Sequence, residues 1–375
     1  MLRAFRDFMT PRVLIAPQNT ENPYLTLLSD AVRHHGESVG FFNFRITGSQ
    51  SLNIALAFPR LAWARCRGSR TLNVHWVYMF HLAWATTLPI VKHLSRWLFL
   101  AWLAWAKLWR FSVIYTWHDV VPLNAVFDDD QLCRQQMVRF LDGVITITPA
   151  AKAAIVSQFG VPPELISVIP EGAPVVVRER SREAARAAMG LSGDEIAIGA
   201  YGHIDPYKGV DDTAHALINL SKTHHFNFRI LGEARDPQLA ATLSGTVATL
   251  AADGHDARWE NRRFTDDELT DFLIGMDIIV IAFRYITNSA TMRMACAYGK
   301  TMIIPDLPAL ADTPRDAAVW YDASSPTGLR DAIANVLETW PQGRDARAAA
   351  AQEWANAWSW DAVGAATTTA YRRAR

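Results

Sequence analysis

Short apolar runs alternate with longer segments of helical spacing along most of this chain. Val13-Leu14-Ile15-Ala16 is a buried-strand signal, followed by a polar loop over Gln18–Asn22. A helix is predicted from Pro23, a favourable first-turn residue, to His35, with Gly36 as its stop. Further strands are predicted at Thr71–Trp76, Ser112–Trp117 and Gly143–Thr148, and a helix at Pro149–Gly160 before the Val161-Pro162-Pro163 turn. After the polar, charged stretch Arg178–Asp194 the pattern starts again. Strands are predicted at Ile196–Tyr201, Asn227–Leu231, Ile278–Ala282 and Thr301–Pro305, with helices between them that include Asp266–Gly275 and Ser289–Tyr298. Strand–helix alternation of this kind argues for parallel sheets covered by helices. The alanine-rich Asp345–Ala374 region reads as terminal helices broken near Ser359, and a boundary between two domains is expected near Glu171–Ser181.

A length of 375 residues suits two domains, and a chain that is 50% hydrophobic and 20% charged is globular rather than disordered. Cys66, Cys133 and Cys296 lie far apart with no metal-type spacing, which points to a reduced compartment and no disulfide framework. The first apolar run is short and ends at Pro17, so no secretory signal is expected. The longest apolar run, Trp97–Ala106, is about half of the ~20 residues that a membrane span requires. The expected location is cytoplasmic, with peripheral contact to the inner face of a membrane left open.

The net charge of zero hides an asymmetry. No acidic residue stands between Glu37 and Asp119, a stretch that carries Arg45, Arg60, Arg65, Arg67, Arg70, Lys92, Arg96, Lys107, Arg110 and eight of the fourteen tryptophans. Basic and aromatic residues interleaved in this way point to an anionic surface or ligand on the N-terminal half. Within it, Leu94, Trp97, Leu98, Ala101, Trp105, Leu108 and Trp109 recur at helical spacing, while Phe99, Leu100 and Leu103 fill the other faces. Such a helix is either buried in the core or, with its flanking Lys and Arg, set at a membrane interface through residues 92–110.

Two segments carry candidate phosphate chemistry. Gly202-His203-Ile204-Asp205-Pro206-Tyr207-Lys208-Gly209 follows a predicted buried strand, where glycine lets backbone approach a ligand and lysine offers it a charge. Asn288-Ser289-Ala290 opens a helix, whose free amides and positive dipole end suit a diphosphate. Taken singly, the first reads equally well as an ordinary turn and the second as a plain N-cap. Both in one α/β unit favour a diphosphate site.

These segments belong to an ordered set of blocks. Gly202–Gly209 resembles the Gly-Arg-x-x-x-x-Lys-Gly loop of the GT-B glycosyltransferases of the glycogen synthase and mannosyltransferase superfamily. The resemblance continues through Ile230-Leu231-Gly232-Glu233, Phe264–Leu269, Met276–Val280 and Ala295–Ile304, covering most of residues 196–310. His203 stands where the family loop has arginine. The family's two glutamates, spaced eight apart, would fall at Ile286 and Met294 and are absent. Thr287-Asn288-Ser289-Ala290 instead resembles bacterial exopolysaccharide sugar transferases related to the xanthan β-mannosyltransferase. In the N-terminal half, Glu21-Asn22-Pro23-Tyr24, Asn73-Val74-His75-Trp76 and Thr116–Pro122 resemble acceptor-side loops of the same relatives.

The resemblance implies an α/β, GT-B fold: two Rossmann-like domains with a central cleft, an acceptor-binding domain over 1–175 and a nucleotide-sugar-binding domain over 176–345, with helices over 346–375 packing back on the first. It implies transfer of a sugar, with GDP-mannose a candidate donor, to a lipid-linked oligosaccharide or glycan acceptor in bacterial polysaccharide synthesis. Donor contacts are expected from Gly202, His203, Lys208, Glu233, Thr287, Asn288 and Ser289, and acceptor contacts from Asn22, Tyr24, His75 and Trp76. Asp119 is the candidate base of an inverting transfer, with His118 beside it; the alternative for Asp119 is a helix cap or turn, and for His118 a retaining enzyme's contact to the donor sugar. His75 reads either as an acceptor contact or as a satisfied buried histidine, and Glu233 either as a donor contact or as an exposed loop acid. Asp128-Asp129-Asp130 reads as a helix cap rather than a metal motif. No metal or cofactor is expected, since the nucleotide sugar is a substrate, and no nucleic-acid partner. A GT-B epimerase of nucleotide sugars and a non-catalytic nucleotide-sugar-binding or scaffold protein remain the alternatives.

Overall fold

In the computed structural model of the chain, residues 11–19, 23–77, 80–83, 88–120, 126–176, 179–191, 195–286 and 289–375 are described. They fall into two compact units, one over Met1–Gly172 with Trp358–Arg375 and the other over Ala173–Ala357.

The first unit alternates β1 (Val13–Ala16), α1 (Pro23–His34), β2 (Val39–Phe41), α2 (Gln50–Cys66), β3 (Thr71–Val74), α3 (Pro89–Leu108), β4 (Ser112–Trp117), α4 (Asp130–Met137), β5 (Gly143–Thr146), α5 (Pro149–Phe159) and β6 (Ile166–Val168). Its strands form one parallel sheet in the order β2-β1-β3-β4-β5-β6, so the strand order reverses between β1 and β3. β1 and β3 are buried at every position, as parallel strands covered on both faces must be. Asp129, central in the acidic triplet, caps α4 by accepting from the Leu132 amide at 2.8 Å.

The second unit runs α6 (Arg182–Ala188), β7 (Ala197–Tyr201), α7 (Val210–Leu220), β8 (Asn227–Gly232), α8 (Pro237–Ala252), β9 (Ala257–Asn261), α9 (Asp266–Gly275), β10 (Ile278–Val280), α10 (Ala290–Ala297), β11 (Thr301–Pro305), β12 (Val319–Tyr321), α11 (Gly328–Thr339) and α12 (Arg344–Asn356). The sheet is again parallel, ordered β12-β11-β10-β7-β8-β9, which in order of appearance is the doubly wound Rossmann arrangement.

The last helix, α13 (Trp360–Arg373), begins at the Ser359 cap and returns to the first unit. Only this helix does so. α12, which the sequence groups with it in residues 346–375, belongs to the second unit, where Ala351 and Ala355 are buried in the same apolar cluster as Met292 and Ala295. The division falls at 172/173 rather than at 175/176. α13 is held by polar contacts at both ends. Asp361 accepts from the rings of His34 (2.8 Å) and His35 (3.0 Å), and Arg372 and Arg375 donate to the buried Glu37 carboxylate. Between them Gly364 packs against the Ala31 backbone.

α3 has two apolar faces with different fates. Phe99, Leu100, Trp102, Leu103 and Ala106 enter the core, while Ile90, Leu94, Trp97 and Leu108 are exposed, as are Leu52 and Trp63 on α2. Core packing therefore accounts for only half of this helix. The acid-free stretch is not acid-free in space, because Arg96 pairs with Asp128 (2.8 Å) and Lys107 with Asp142 (2.6 Å). Among the described residues no helix is long and apolar enough to cross a membrane.

Candidate functional site

In open α/β sheets, ligands bind outside the carboxyl ends of the strands where the strand order reverses. In the second unit that point lies between β7 and β10. Gly202, directly after β7, has φ +106°, and a Cβ built there would stand 2.7 Å from Lys208 Nζ and 3.5 Å from Thr291 Oγ1. The chain then makes a single 3-10 turn at Pro206–Lys208 and enters α7 through Gly209 at φ +60°. A Cβ at Gly209 would lie 2.1 Å from the carbonyl oxygen of Ala282, so only glycine permits this approach of the β7 loop to the segment after β10. Arg284 locks the two loops together by donating to the Pro206 carbonyl (2.6 Å), Asp211 (2.7 Å) and Asp212 (2.8 Å).

This arrangement sets an ammonium beside a helix start. Lys208 is 9% exposed and has no hydrogen-bond or ion-pair partner among the described residues. Burial lowers its pKa, and the Asp205 charge only partly opposes that. Ser289 caps α10, its hydroxyl accepting from the Met292 amide at 3.0 Å, and Tyr201 OH donates to the Thr291 carbonyl, tying the first turn of α10 to the end of β7. The buried cation and the positive end of the helix together favour an anion at this point.

The other expected donor residues divide. His203 is exposed. Glu233 faces Arg263 at 3.5 Å and Arg235 at 3.9 Å, the surroundings of a loop acid with basic neighbours. Thr287 and Asn288 lie outside the described residues. Ile286 and Met294, where the glutamate pair would stand, pack against the apolar core of the unit. Thr291 and Tyr201 were not anticipated; a hydroxyl two positions after the cap residue was the available signal for Thr291.

The reversal point of the first unit lies between β1 and β3, and the ends of β3 and β4 bring His75 and His118 together. His75 Nδ1 stands 3.0 Å from His118 Nε2. Trp76 stacks on the His118 ring (centroids 4.5 Å, planes 20° apart), and Tyr24 meets the same ring edge-on at 5.2 Å. Tyr24 also packs on Trp360 of α13 at 5.6 Å. Burial holds His75 and His118 far below the usual histidine range, His118 at about 3, so both rings are neutral near pH 7. His75, 1% exposed, has the burial and partners of a satisfied core histidine rather than of an open contact. Asp119 is half-buried, and its carbonyl accepts from Arg134 Nη1 at 2.7 Å, as does the Val120 carbonyl, so one guanidinium fixes the turn that carries it. Asn22 and Pro122 lie outside the described residues.

Behind the histidines is a buried polar chain that sequence reasoning passed over. Thr116 Oγ1 donates to Asn73 Oδ1 (3.0 Å), and Asn73 Nδ2 donates to His75 Nε2 (2.9 Å) and to Tyr371 OH (2.8 Å). A signal existed. Asn73 and Thr116 each stand two residues before a histidine at a strand end, hence near the same sheet face. Tyr371, distant in sequence, gave none.

Residues 62–175 match the model of Glycosyltransferase Family 4. A D-inositol 3-phosphate glycosyltransferase from Nocardioides sp. is 25% identical over 290 residues, which cover 71% of this chain and 63% of that protein, so the chain spans less than two thirds of this relative's length. Among solved structures, a glycosyltransferase from Rickettsia africae superposes with a TM-score of 0.73 at 13% identity, covering 96% of this chain and 97% of the other. HepE of Anabaena, solved in complex with UDP, gives 0.69 at 14% identity, covering 94% and 97%. With two parallel six-stranded sheets and these structural likenesses, the chain has a GT-B type fold.

Proposed function

We propose that the protein transfers a sugar from a nucleoside-diphosphate donor, with Lys208 and the first turn of α10 holding the diphosphate. The observation that carries this reading is the buried Lys208 ammonium, without a partner among the described residues, beside a helix N-terminus at the reversal point of a Rossmann sheet. Charge developing on the leaving diphosphate would be stabilised there by groups already in place. The UDP bound in the structurally similar HepE fits a ligand of the same chemistry.

Asp119 is the proposed base. It adjoins the clamped His118 at the carboxyl end of β4, and an inverting transfer needs a single group to take the acceptor proton. The apolar side chains at Ile286 and Met294 support an inverting enzyme of the xanthan-transferase kind over a retaining one. The exposed apolar stripe of α3, with Lys92 and Arg110 near its ends, supports an acceptor presented at an anionic membrane surface, as a lipid-linked oligosaccharide would be. Mannose from GDP-mannose remains the proposed sugar on resemblance alone.

The test is thermal-shift measurement with UDP, GDP and their sugars, followed by turnover with lipid-linked acceptors. A nucleotide should raise the melting temperature of the native protein, and Lys208→Ala should abolish the rise. Asp119→Asn should keep the rise while turnover falls by about 10²-fold or more. Donor turnover that proceeds without acceptor would favour an epimerase; binding without any turnover would favour a binding protein.

A further inference from the structure

His118 is held from several sides. Trp76 covers one face of the ring at 4.5 Å, Tyr24 abuts it edge-on, and Nε2 faces His75 Nδ1 at 3.0 Å. Its Nδ1 has no partner among the described residues. What this imidazole can offer a substrate therefore depends on which nitrogen carries the proton, and that is settled one shell further back.

Donor and acceptor roles pass along the buried chain in one direction. Asn73 presents its Oδ1 to the Thr116 hydroxyl, which donates to it, and its amide nitrogen to His75. An amide nitrogen has only hydrogens to offer, so His75 Nε2 must be the bare nitrogen of its ring. A neutral His75 then carries its proton on Nδ1 and donates it to His118 Nε2. His118 Nε2 is thereby an acceptor, and the remaining proton of that neutral ring sits on Nδ1. Asn73, His75, Thr116 and Tyr371 are all buried to within 1% exposure, so water does not compete for these roles.

We infer that Asn73 and His75 are positioning residues that hold His118 as its Nδ1–H tautomer, so that the ring offers a bound substrate a hydrogen-bond donor and not a base. The inference rests on the transferase reading for there being a substrate to meet the ring, and on the buried chain alone for the tautomer. It leaves Asp119 as the proton acceptor of the His118-Asp119 pair. It also gives Tyr371 of α13 a part in the site, because its hydroxyl accepts the second Asn73 hydrogen and helps to fix the amide's orientation.

The tautomer can be read without substrate by two-bond proton–nitrogen correlation spectra of histidine-labelled protein, with His118 assigned by loss of its signals in His118→Gln. In the native protein His118 should show a protonated Nδ1 and a bare Nε2. In His75→Phe, which keeps a ring in place but removes the donor, the proton should shift to Nε2, the form that imidazole favours on its own. Asn73→Leu should loosen the preference through His75. A protonated Nε2 in the native protein would overturn the inference outright. So would an unchanged His118 tautomer in folded His75→Phe. Should the tautomer be as inferred while no UDP or GDP sugar shifts the melting temperature, the transferase reading fails and the positioning chain stands.

Discussion

Gly232 and Gly202 touch backbone to backbone: a Cβ on Gly232 would lie 1.9 Å from the Gly202 carbonyl oxygen. Both have positive φ, +145° and +106°, so the ends of β8 and β7 converge in conformations that suit glycine alone. Gly232→Ala should cost about 1–3 kcal/mol in stability and push the Gly202 turn against Lys208. Denaturant melts should show the loss. Nucleotide thermal shifts should weaken by more than the lowered stability accounts for.

Lys208 sets opposite pH dependences for the empty and the occupied protein. Its pKa is lowered in the fold, so above that value the unfolded chain holds more protons than the folded one, up to the ordinary lysine range. Ligand-free stability at this residue should therefore rise with pH across that window. Diphosphate affinity, which needs the ammonium, should fall across the same window. Calorimetric titration of nucleotide between neutral and alkaline pH measures the second, and Lys208→Met should flatten it.

Gly364→Ala should destabilise the protein although alanine is the better helix former by about 1 kcal/mol. A Cβ at this position of α13 would lie 2.6 Å from the Ala31 backbone, so the helix must move away from α1. The movement would stretch the Glu37 contacts to Arg372 and Arg375. Thermal unfolding decides the sign.

Vesicle sedimentation tests the exposed face of α3. Binding to vesicles rich in anionic lipid should exceed binding to zwitterionic ones and fall with salt. Ile90→Asp combined with Leu94→Asp should abolish it without changing the nucleotide thermal shift, since both side chains are exposed and lie in the other unit from Lys208.

The strands show where sequence pattern carries information. All eight interior strands of the two sheets lie in segments predicted as strands, while the edge strands β2, β6, β9 and β12 were not anticipated. An interior parallel strand is covered on both faces and reads as an unbroken apolar run. β9, Ala-Arg-Trp-Glu-Asn, is mostly exposed at the rim and carries no such signal. α2 was hidden for another reason: it runs through Pro59, a residue that ordinarily marks a break.

Local sequence determined the α/β alternation, the glycine turn ahead of Lys208, the cap of α10 and the histidines at the ends of β3 and β4. Each depends on neighbours within a few positions of the chain. Only the tertiary structure decided that Lys208 lies buried beside Thr291, that Glu233 instead has Arg263 as a neighbour, that α12 and α13 part company, and that Asn73 and Tyr371 stand behind His75. These relationships join strands adjacent in space and a helix that returns from the far end of the chain. Burial makes them consequential, since an ammonium, an amide and two imidazoles removed from water must take their charge and hydrogen-bonding roles from whatever the fold sets beside them.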